Sequence, residues 1–258
     1  MTSILDHPLV SSRYFFPQPA RFADPFYVEC GDVRLGCHLR YNHPGAPVIV
    51  HFHGNGETVA DYLPEFDDEI DAMGANLLLA EYRGYGLSTG TPLLGRMLDD
   101  VDHVVRAVGF PSRQLIFFGR SVGSLFAIRA LSRFPDAGGL IIESGIADPL
   151  ERLLLRVHPA ELGASMSEIA EEIGRRMDHR RTLSAYGGPV LVMHTRCDGL
   201  IDVSHAERLA AWAGGPVTLK IFERGDHNLI LEVNRREYFA EVARFIDRVK
   251  GEGIKAIG

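Results

Sequence analysis

The chain of 258 residues has few cysteines, no excess of basic residues and no long apolar run. Its three cysteines, Cys30, Cys37 and Cys197, are odd in number and form no C-x-x-C pair, which argues against a disulfide scaffold or a cysteine-based metal site. Lysine and arginine number 27 against 34 aspartates and glutamates, so the net charge of −7 is opposite in sign to a surface that binds nucleic acid. We therefore expect reduced thiols, no bound metal and no nucleic-acid partner.

Sequence features that direct a protein to a membrane are equally scarce. The first residues lack the basic start and apolar run of a secretory signal, and no segment approaches the ~20 apolar residues of a membrane-spanning helix. We therefore expect a cytoplasmic protein without stable membrane insertion. The aromatic run 14–16 is the one candidate for attachment at an interface, and packing onto the domain is its more common role. The sequence indicates no oligomeric state.

The chain alternates short apolar runs with helical periodicity. Continuous apolar runs such as Val48–Phe52 are typical of strands buried on both faces, whereas Phe26–Cys30 and 34–41 flank a hairpin signal at Gly31-Asp32. Further strands are predicted at 76–81, 115–118, Gly139–Glu143, 190–194 and Val217–Phe222, and helices at 60–73, 98–108, 121–134, Ser204–Trp212 and 233–250. This order predicts a single α/β domain over residues 1–258, with an eight-stranded, mostly parallel sheet flanked by helices.

The segment 148–186 interrupts this alternation, because it contains helical stretches at 148–157 and 165–179 but no predicted strand. It is too long for an ordinary connection. We interpret it as a small helical cap insertion over the carboxyl edge of the sheet, where open α/β sheets bind ligands. Its apolar residues either line an acyl pocket or form the buried face of two ordinary surface helices.

The motif Gly119-Arg120-Ser121-Val122-Gly123 follows the apolar run 115–118 and opens the next helix. A tight turn from strand to helix holds the serine in a strained backbone, and the flanking glycines avoid side-chain clashes there. The hydroxyl then stands at the edge of the sheet, and the helix directs its amide donors toward developing negative charge. We therefore predict Ser121 as a nucleophile, with a helix-capping serine as the alternative.

A serine hydroxyl needs a base, and the base needs a carboxylate that orients it. His227 follows the last predicted strand and Asp198 follows the run 190–194, so both lie in loops at the carboxyl ends of strands. The order serine, aspartate, histidine is one of the known orders of a catalytic triad. The lower-ranked alternatives are His51, His53 and His194 for the base, and Glu143, Asp202 and Asp226 for the acid.

The oxyanion of a tetrahedral intermediate needs amide donors that are already in position. The backbone N–H of Val122, directly after the serine, is one candidate. The loop His53-Gly54-Asn55-Gly56-Glu57 follows the run Val48–Phe52, and its glycines let the backbone approach a ligand closely. We predict the N–H of Asn55 as the second donor of this oxyanion hole, with an ordinary Asn-Gly turn as the alternative.

Together these motifs, between about residues 48 and 250, resemble the α/β-hydrolase superfamily. The H-G-N-G loop at 53–56 and the stretch Y-R-G-Y-G-L-S at 82–88 are similar to the Bem46 and ABHD-type branch, whose members act on acyl esters, thioesters and lipids. The resemblance implies a small-molecule acyl ester or thioester substrate. Within 82–88 we expect Arg83 to tie neighbouring loops by hydrogen bonds, and a substrate contact of Tyr85 is an open alternative.

We therefore expect a serine hydrolase that forms an acyl-enzyme on Ser121, with His227 as general base and acid and Asp198 orienting the imidazole. This chemistry requires no cofactor. A serine peptidase or an acyltransferase is an alternative, because the fold and triad are shared and the pocket decides the substrate. A non-catalytic binding protein of the same fold is a second alternative, which the intact set of three residues disfavours.

Overall fold

The computed structural model describes residues 3–255, with side chains through residue 251, and it is built around one eight-stranded sheet. The strands are β1 (Phe26–Cys30), β2 (Val33–Arg40), β3 (Val48–Phe52), β4 (Asn76–Ala80), β5 (Leu115–Arg120), β6 (Gly139–Glu143), β7 (Val190–Thr195) and β8 (Val217–Phe222). Their order across the sheet is β1-β2-β4-β3-β5-β6-β7-β8. Only the pairings of β2, with β1 and with β4, are antiparallel, so the predicted mostly parallel sheet is confirmed.

Burial follows the sequence pattern that predicted the strands. Every residue of β3 to β7 is buried, whereas β1 alternates between exposed and buried positions along its second half. The prediction ended the fifth strand at residue 118, but β5 continues to Arg120, because Gly119 and Arg120 still pair with Ile142 and Glu143 of β6. The strand therefore runs directly into the serine motif.

Helices cover both faces of the sheet. They are α1 (Pro8–Tyr14), α2 (Glu65–Ala72), α3 (Leu94–Ala107), α4 (Gly123–Arg133), α5 (Pro149–Leu154), α6 (Met166–Arg176), α7 (His179–Ala185), α8 (Ser204–Trp212) and α9 (Ile230–Lys255). Val50 of β3 belongs to one apolar core with α3 and α4, and the adjacent Ile49 belongs to a second core with α2 and α9. None of the helices in the described chain is long and apolar enough to cross a membrane.

Several helices differ from the predictions in their number or bounds. The predicted helix 60–73 is divided into a 3-10 helix, Val59–Tyr62, and α2, because Pro64 has no N–H to continue the ladder. The predicted helix 165–179 ends at Arg176, because the Asp178 side chain accepts a hydrogen bond from Arg181 N and caps α7 as a separate helix. Helix α1 was not predicted from the sequence.

The segment 148–186 contains α5, a 3-10 helix at Pro159–Leu162, α6 and α7, and all of its residues are described without a strand among them. Leu153 and Ile173 of this insertion face a cavity at the carboxyl edge of the sheet, which they share with Ser121.

The N-terminal segment 3–16 packs against the insertion. The Glu172 carboxylate of α6 accepts hydrogen bonds from Ser3 Oγ and from Ile4 N (3.0 Å). Tyr14 Oη donates to the carbonyl of Leu153 (2.6 Å), and Phe15 is buried. Tyr14 and Phe15 thus pack onto the domain, whereas the side chain of Phe16 stays exposed.

The close approach of α4 to β3 generates a test of the fold. A Cβ atom on Gly123 would lie 2.0 Å from the carbonyl oxygen of Phe52, so backbone must move against backbone in Gly123→Ala. We expect this variant to lose ~2 kcal/mol or more of its free energy of unfolding, measured by urea denaturation. Gly174→Ala, in helix α6 with open space around the added methyl, is the control and should lose nothing. Equal stability of the two variants would contradict the packing described.

Candidate active site

Ser121 occupies the turn between β5 and α4. Its φ is 52°, in the left-handed region that a serine rarely adopts, so the turn is strained. The backbone is held there because Ser121 N donates to the carbonyl of Glu143 (2.8 Å) and the carbonyl of Ser121 accepts from Ser124 N (3.0 Å). The residue is buried but lines the cavity at the carboxyl edge of the sheet.

The structure brings together the three residues that the sequence predicted as a triad. His227 lies in the loop between β8 and α9, and its Nε2 is 2.9 Å from Ser121 Oγ. Its Nδ1 is 2.7 Å from Oδ2 of Asp198, which lies in the loop after β7. One continuous chain of hydrogen bonds therefore joins the carboxylate, the imidazole and the hydroxyl.

The carboxylate of Asp198 is fixed by its own loop. Its Oδ1 accepts hydrogen bonds from Leu200 N and Ile201 N, both at 2.8 Å. Burial alone would raise the pKa of Asp198, but the hydrogen bond from His227 and the backbone amides hold it below the ordinary value. Thr195 Oγ1 also donates to the carbonyl of Gly225 (2.6 Å), which ties the aspartate loop to the histidine loop.

The alternative acids are engaged elsewhere. The side chains of Asp202 and Asp226 accept hydrogen bonds from backbone amides of their own turns, Ser204 N and Asn228 N respectively. Glu143 is buried at the end of β6 and pairs with Arg120. These contacts leave Asp198 as the carboxylate that the structure places on His227.

The alternative bases also have structural contacts. His51 packs among Tyr62, Phe66 and Phe118, and burial lowers its pKa well below the ordinary value. His53 Nε2 is 2.6 Å from the carboxylate of Glu81. These two histidines therefore belong to the interior of the fold.

His194 lies next to the aspartate. Its Nε2 is 2.9 Å from the carbonyl of Ile201 and 3.4 Å from Oδ2 of Asp198. Burial lowers the pKa of His194, which favours the neutral ring. His194 therefore supports the loop that carries Asp198 and does not contact Ser121.

The two residues predicted for the oxyanion hole, Asn55 and Val122, both line the cavity with Ser121. The side chain of Asn55 makes three hydrogen bonds to the protein. Its Oδ1 accepts from Tyr85 Oη (2.9 Å) and from Phe16 N (3.1 Å), and its Nδ2 donates to the carbonyl of Tyr14. The loop at 53–57 is thus tied to the N-terminal segment.

The two residues of interest in the stretch 82–88 have structural contacts. Arg83 pairs with the buried Asp100 and also reaches the carbonyl of Cys30 (3.3 Å), as expected for a residue that ties loops together. Tyr85 is fully buried and holds Asn55. The structure places Tyr85 behind the cavity wall, so it supports the loop at 53–57.

Arg120, next to Ser121 in the chain, is a charged residue to which sequence analysis assigned no role. Its guanidinium pairs with Glu57 and with Glu143 (3.1 Å) and donates to the carbonyl of His227 (3.0 Å). Two tyrosines complete the cluster, because Tyr62 Oη donates to Glu57 and Tyr238 Oη donates to Glu143. The cluster connects the serine turn, the loop at 53–57 and the histidine loop below the cavity.

The charge balance of this cluster follows from burial. Burial alone would lower the pKa of Arg120, but the neighbouring carboxylates raise it, so the guanidinium stays charged. Burial raises the pKa of Glu143, and the Arg120 charge opposes that rise. The position of Arg120 in the sequence could have predicted such a cluster, because a charged residue between a buried strand and a buried helix requires a partner of opposite charge.

The cavity above Ser121 has a volume of about 310 Å³. Its wall is mainly apolar and comes from several elements: Leu94, Leu125, Ile146, Leu153, Ile173 and Met177. The N-terminal segment supplies Leu5, Tyr14, Phe15 and Phe16, which sequence analysis did not assign to a site. Its charged lining residues are the arginines Arg120, Arg152 and Arg156, and no aspartate or glutamate lines the described cavity.

The chain is similar in sequence to several known proteins. A family model described as "Serine aminopeptidase, S33" matches residues 43–154. YfhR of Escherichia coli is 24% identical over 188 residues, which cover 69% of this chain and 62% of that protein. Protein bem46 of Schizosaccharomyces pombe is 24% identical over 159 residues, and α/β hydrolase domain-containing protein 17C of Mus musculus is 26% identical over 179 residues.

These matches are partial. They cover 60% of this chain for the yeast protein and 67% for the mouse protein, and 52% of each relative. The chain therefore spans less than two thirds of the length of the relatives that it matches.

Solved structures support the fold independently. The esterase Pf2001 of Pyrococcus furiosus superposes with a TM-score of 0.70 at 17% identity, covering 91% of this chain and 98% of that chain. Est1E of Butyrivibrio proteoclasticus superposes with a TM-score of 0.71 at 16% identity, covering 89% of this chain and all of that chain. The chain therefore has the α/β-hydrolase fold. In sequence it is similar to proteins of the Bem46 and ABHD type, as its motifs predicted.

The Arg120 cluster generates a stability test with a defined pH dependence. In Arg120→Met, Glu57 and Glu143 lose their cation, and we expect a loss of ~3 kcal/mol or more in the free energy of unfolding at pH 8. The pKa of Glu143, already raised by burial, rises further in this variant, so the folded state binds more protons than the unfolded state between the ordinary and the raised pKa. The deficit should therefore shrink between pH 8 and pH 5.

The matched control is Arg133→Met, which breaks the exposed pair with Asp102. Exposed pairs of this kind contribute ~1 kcal/mol or less, with no marked dependence on pH over the same range. Urea denaturation of both variants at the two pH values measures the difference. A deficit for Arg120→Met that is small, or that grows toward pH 5, would contradict the charge assignment.

Proposed function

We propose that the chain is a serine hydrolase that cleaves a carboxylic ester or thioester through an acyl-enzyme on Ser121. One observation carries the proposal: the hydrogen-bonded series Asp198, His227 and Ser121 ends at a mainly apolar cavity of about 310 Å³. A hydroxyl within 2.9 Å of an imidazole that is itself oriented by a carboxylate is the arrangement that nucleophilic catalysis requires.

The proposed reaction has two halves. His227 Nε2 takes the proton of Ser121 as its Oγ attacks the carbonyl carbon, and the same proton then passes to the leaving group as the bond to it breaks. In the second half His227 takes a proton from water as the water oxygen attacks the acyl carbon. The proton then passes to Ser121 Oγ as the bond between Oγ and the acyl carbon breaks, which releases the carboxylic acid. Asp198 keeps Nδ1 protonated and stabilises the imidazolium in both halves.

The N–H groups of Val122 and Asn55 are the proposed donors to the oxyanion. Val122 stands next to the strained serine at the start of α4, where free amide donors and the helix dipole favour negative charge. The Asn55 backbone is held in place by its side-chain contacts with Tyr85 and Phe16. Donors fixed before the reaction stabilise the transition state without reorganisation.

The insertion 148–186 is proposed as a cap that shapes the substrate site within a single domain. Leu153, Ile173 and Met177 of this segment supply apolar wall above Ser121, and they suit an acyl chain or another apolar group.

A serine peptidase is the second candidate, because the matching family model carries an aminopeptidase description. Recognition of a free α-ammonium group calls for carboxylates, but no aspartate or glutamate lines the described cavity. The arginines that line the cavity are positively charged, which favours an ester substrate over a peptide with a free amino terminus.

The proposed role of Ser121 as nucleophile is tested by measuring the hydrolysis of p-nitrophenyl esters from acetate to palmitate. We expect Ser121→Ala to lower kcat by ~10⁴-fold or more, because the covalent route is removed. Asp198→Asn should lower kcat by ~10³- to 10⁴-fold, because the imidazole loses its preferred tautomer. Ser132→Ala, which changes an exposed serine of α4, is the control and should retain full activity.

Labelling of Ser121 by a fluorophosphonate, read by mass spectrometry, accompanies these kinetics. Labelling of Ser121 without ester turnover would indicate a peptide or a specialised thioester as the substrate. Neither turnover nor labelling would overturn the proposal and favour a binding protein with this fold.

The proposed acyl site is tested by filling it. Ile173 of α6 lines the cavity, whereas Ile169, one turn earlier on the same helix, is buried outside it. We expect Ile173→Phe to shift the optimum toward shorter acyl chains in the p-nitrophenyl ester series. Ile169→Phe introduces the same overpacking, at ~1–3 kcal/mol of stability, and should leave the optimum unchanged. The same chain-length profile in both variants would show that the insertion does not contact the acyl group.

A further inference from the structure

Two arginines of the insertion line the same cavity as Ser121, and the proposed ester hydrolysis does not use them. Arg152 lies in α5, and its Nη1 donates to the carbonyl of Leu200 (2.8 Å). Arg156 follows α5, and its Nη1 donates to the carbonyl of Arg13 (2.7 Å). The Arg156 guanidinium carbon also lies 5.3 Å from the centre of the Tyr14 ring. One backbone carbonyl therefore holds each of the two arginines, and the Tyr14 ring also contacts Arg156.

These contacts leave the two positive charges without a counterion. Among residues 3–251, no carboxylate oxygen lies within 4.0 Å of either guanidinium. The nearby glutamates are paired elsewhere, because Glu161 binds Arg13 (2.8 Å) and Glu151 binds Arg208 (3.3 Å). What distinguishes Arg152 and Arg156 is that both line the cavity that holds Ser121.

The charges of Arg152 and Arg156 act on Tyr14, a residue of the cavity wall. Burial raises the pKa of Tyr14, and the charges of Arg156 and Arg152 oppose that rise. Tyr14 lines the cavity, and its hydroxyl donates to the carbonyls of Arg152 and Leu153, so it lies at the junction of the N-terminal segment and α5. The cavity therefore combines an apolar wall with a positively charged sector on one side.

We propose that Arg152 and Arg156 bind a phosphate or carboxylate group of the substrate, whose apolar part fills the cavity above Ser121. A guanidinium offers several fixed N–H donors and binds such anions in a forked geometry, and each arginine here uses only one nitrogen for its protein contact. The substrate class is thus an amphiphilic ester or thioester with an anionic group. Turnover of that class rests on the proposed function, whereas binding of the anion does not.

Turnover is tested with two matched ester pairs. The pair para-carboxyphenyl hexanoate and para-carbamoylphenyl hexanoate places the charge on the leaving group. The pair mono-p-nitrophenyl adipate and methyl p-nitrophenyl adipate places it on the acyl chain. Within each pair, the measured quantity is the ratio of kcat/KM for the anionic ester to that for the neutral ester. Differences in intrinsic reactivity cancel when this ratio is compared between variants.

We expect the ratio to fall about tenfold in Arg152→Gln and in Arg156→Gln for one of the two pairs, which identifies the side that carries the anion. Arg133→Gln is the control, because it removes one positive charge at the far end of α4, roughly 15 Å along the helix from its start. The ratio should be unchanged in this variant. An equal fall in Arg133→Gln, or no fall in any variant, would overturn the proposal.

Binding is measured separately by calorimetry with monohexyl phosphate on the Ser121→Ala background. We expect about tenfold weaker binding when Arg152→Gln or Arg156→Gln is added, and no change when Arg133→Gln is added. If no ester is hydrolysed and Ser121 is not labelled, the proposed function fails, but this titration still decides the anion site. Binding that is equal in all variants would overturn it.

Discussion

The strained turn at Ser121 is the constraint on which the rest of the structure depends. Because β5 passes into α4 through a residue with φ of 52°, one short stretch presents Ser121 to the cavity and places Arg120 against the carbonyl of His227. The turn closes only because Gly119 and Gly123 lack side chains, and a Cβ on Gly119 would lie 2.6 Å from the carbonyl of Gly123. The same short turn therefore positions Ser121 and supports the loop that carries His227.

The electrostatics of the region separate into two layers. Beside Ser121, the buried Arg120 guanidinium reaches the cavity but is paired with Glu57 and Glu143, as a buried charge must be. At the cavity wall, Arg152 and Arg156 carry charge that the described protein does not match. The first layer holds loops in place, and the second is available to a ligand.

The strands β1, β3, β6 and β8 have the bounds that the sequence predicted. Burial on both faces explains the continuous apolar runs of β3 to β7, whereas β1 and β8 are partly exposed. The sequence also predicted that Ser121, Asp198 and His227 would lie close together, since loops at the carboxyl ends of parallel strands share one edge of the sheet. The Arg120 cluster and the N-terminal wall were not predicted. Their contacts join residues far apart in the chain, and no local periodicity encodes such pairs.

The contacts of Asn55 have a consequence for how such a protein diversifies. Its side chain fastens the segment 14–16 while its backbone belongs to the loop beside Ser121, so wall and loop are mechanically one unit. Residues 3–16 lie outside both the sheet and the insertion. Substitutions at residues 14–16 should therefore alter the cavity wall and the position of the Asn55 backbone together, so that selectivity and catalysis in the proposed hydrolase would change as one.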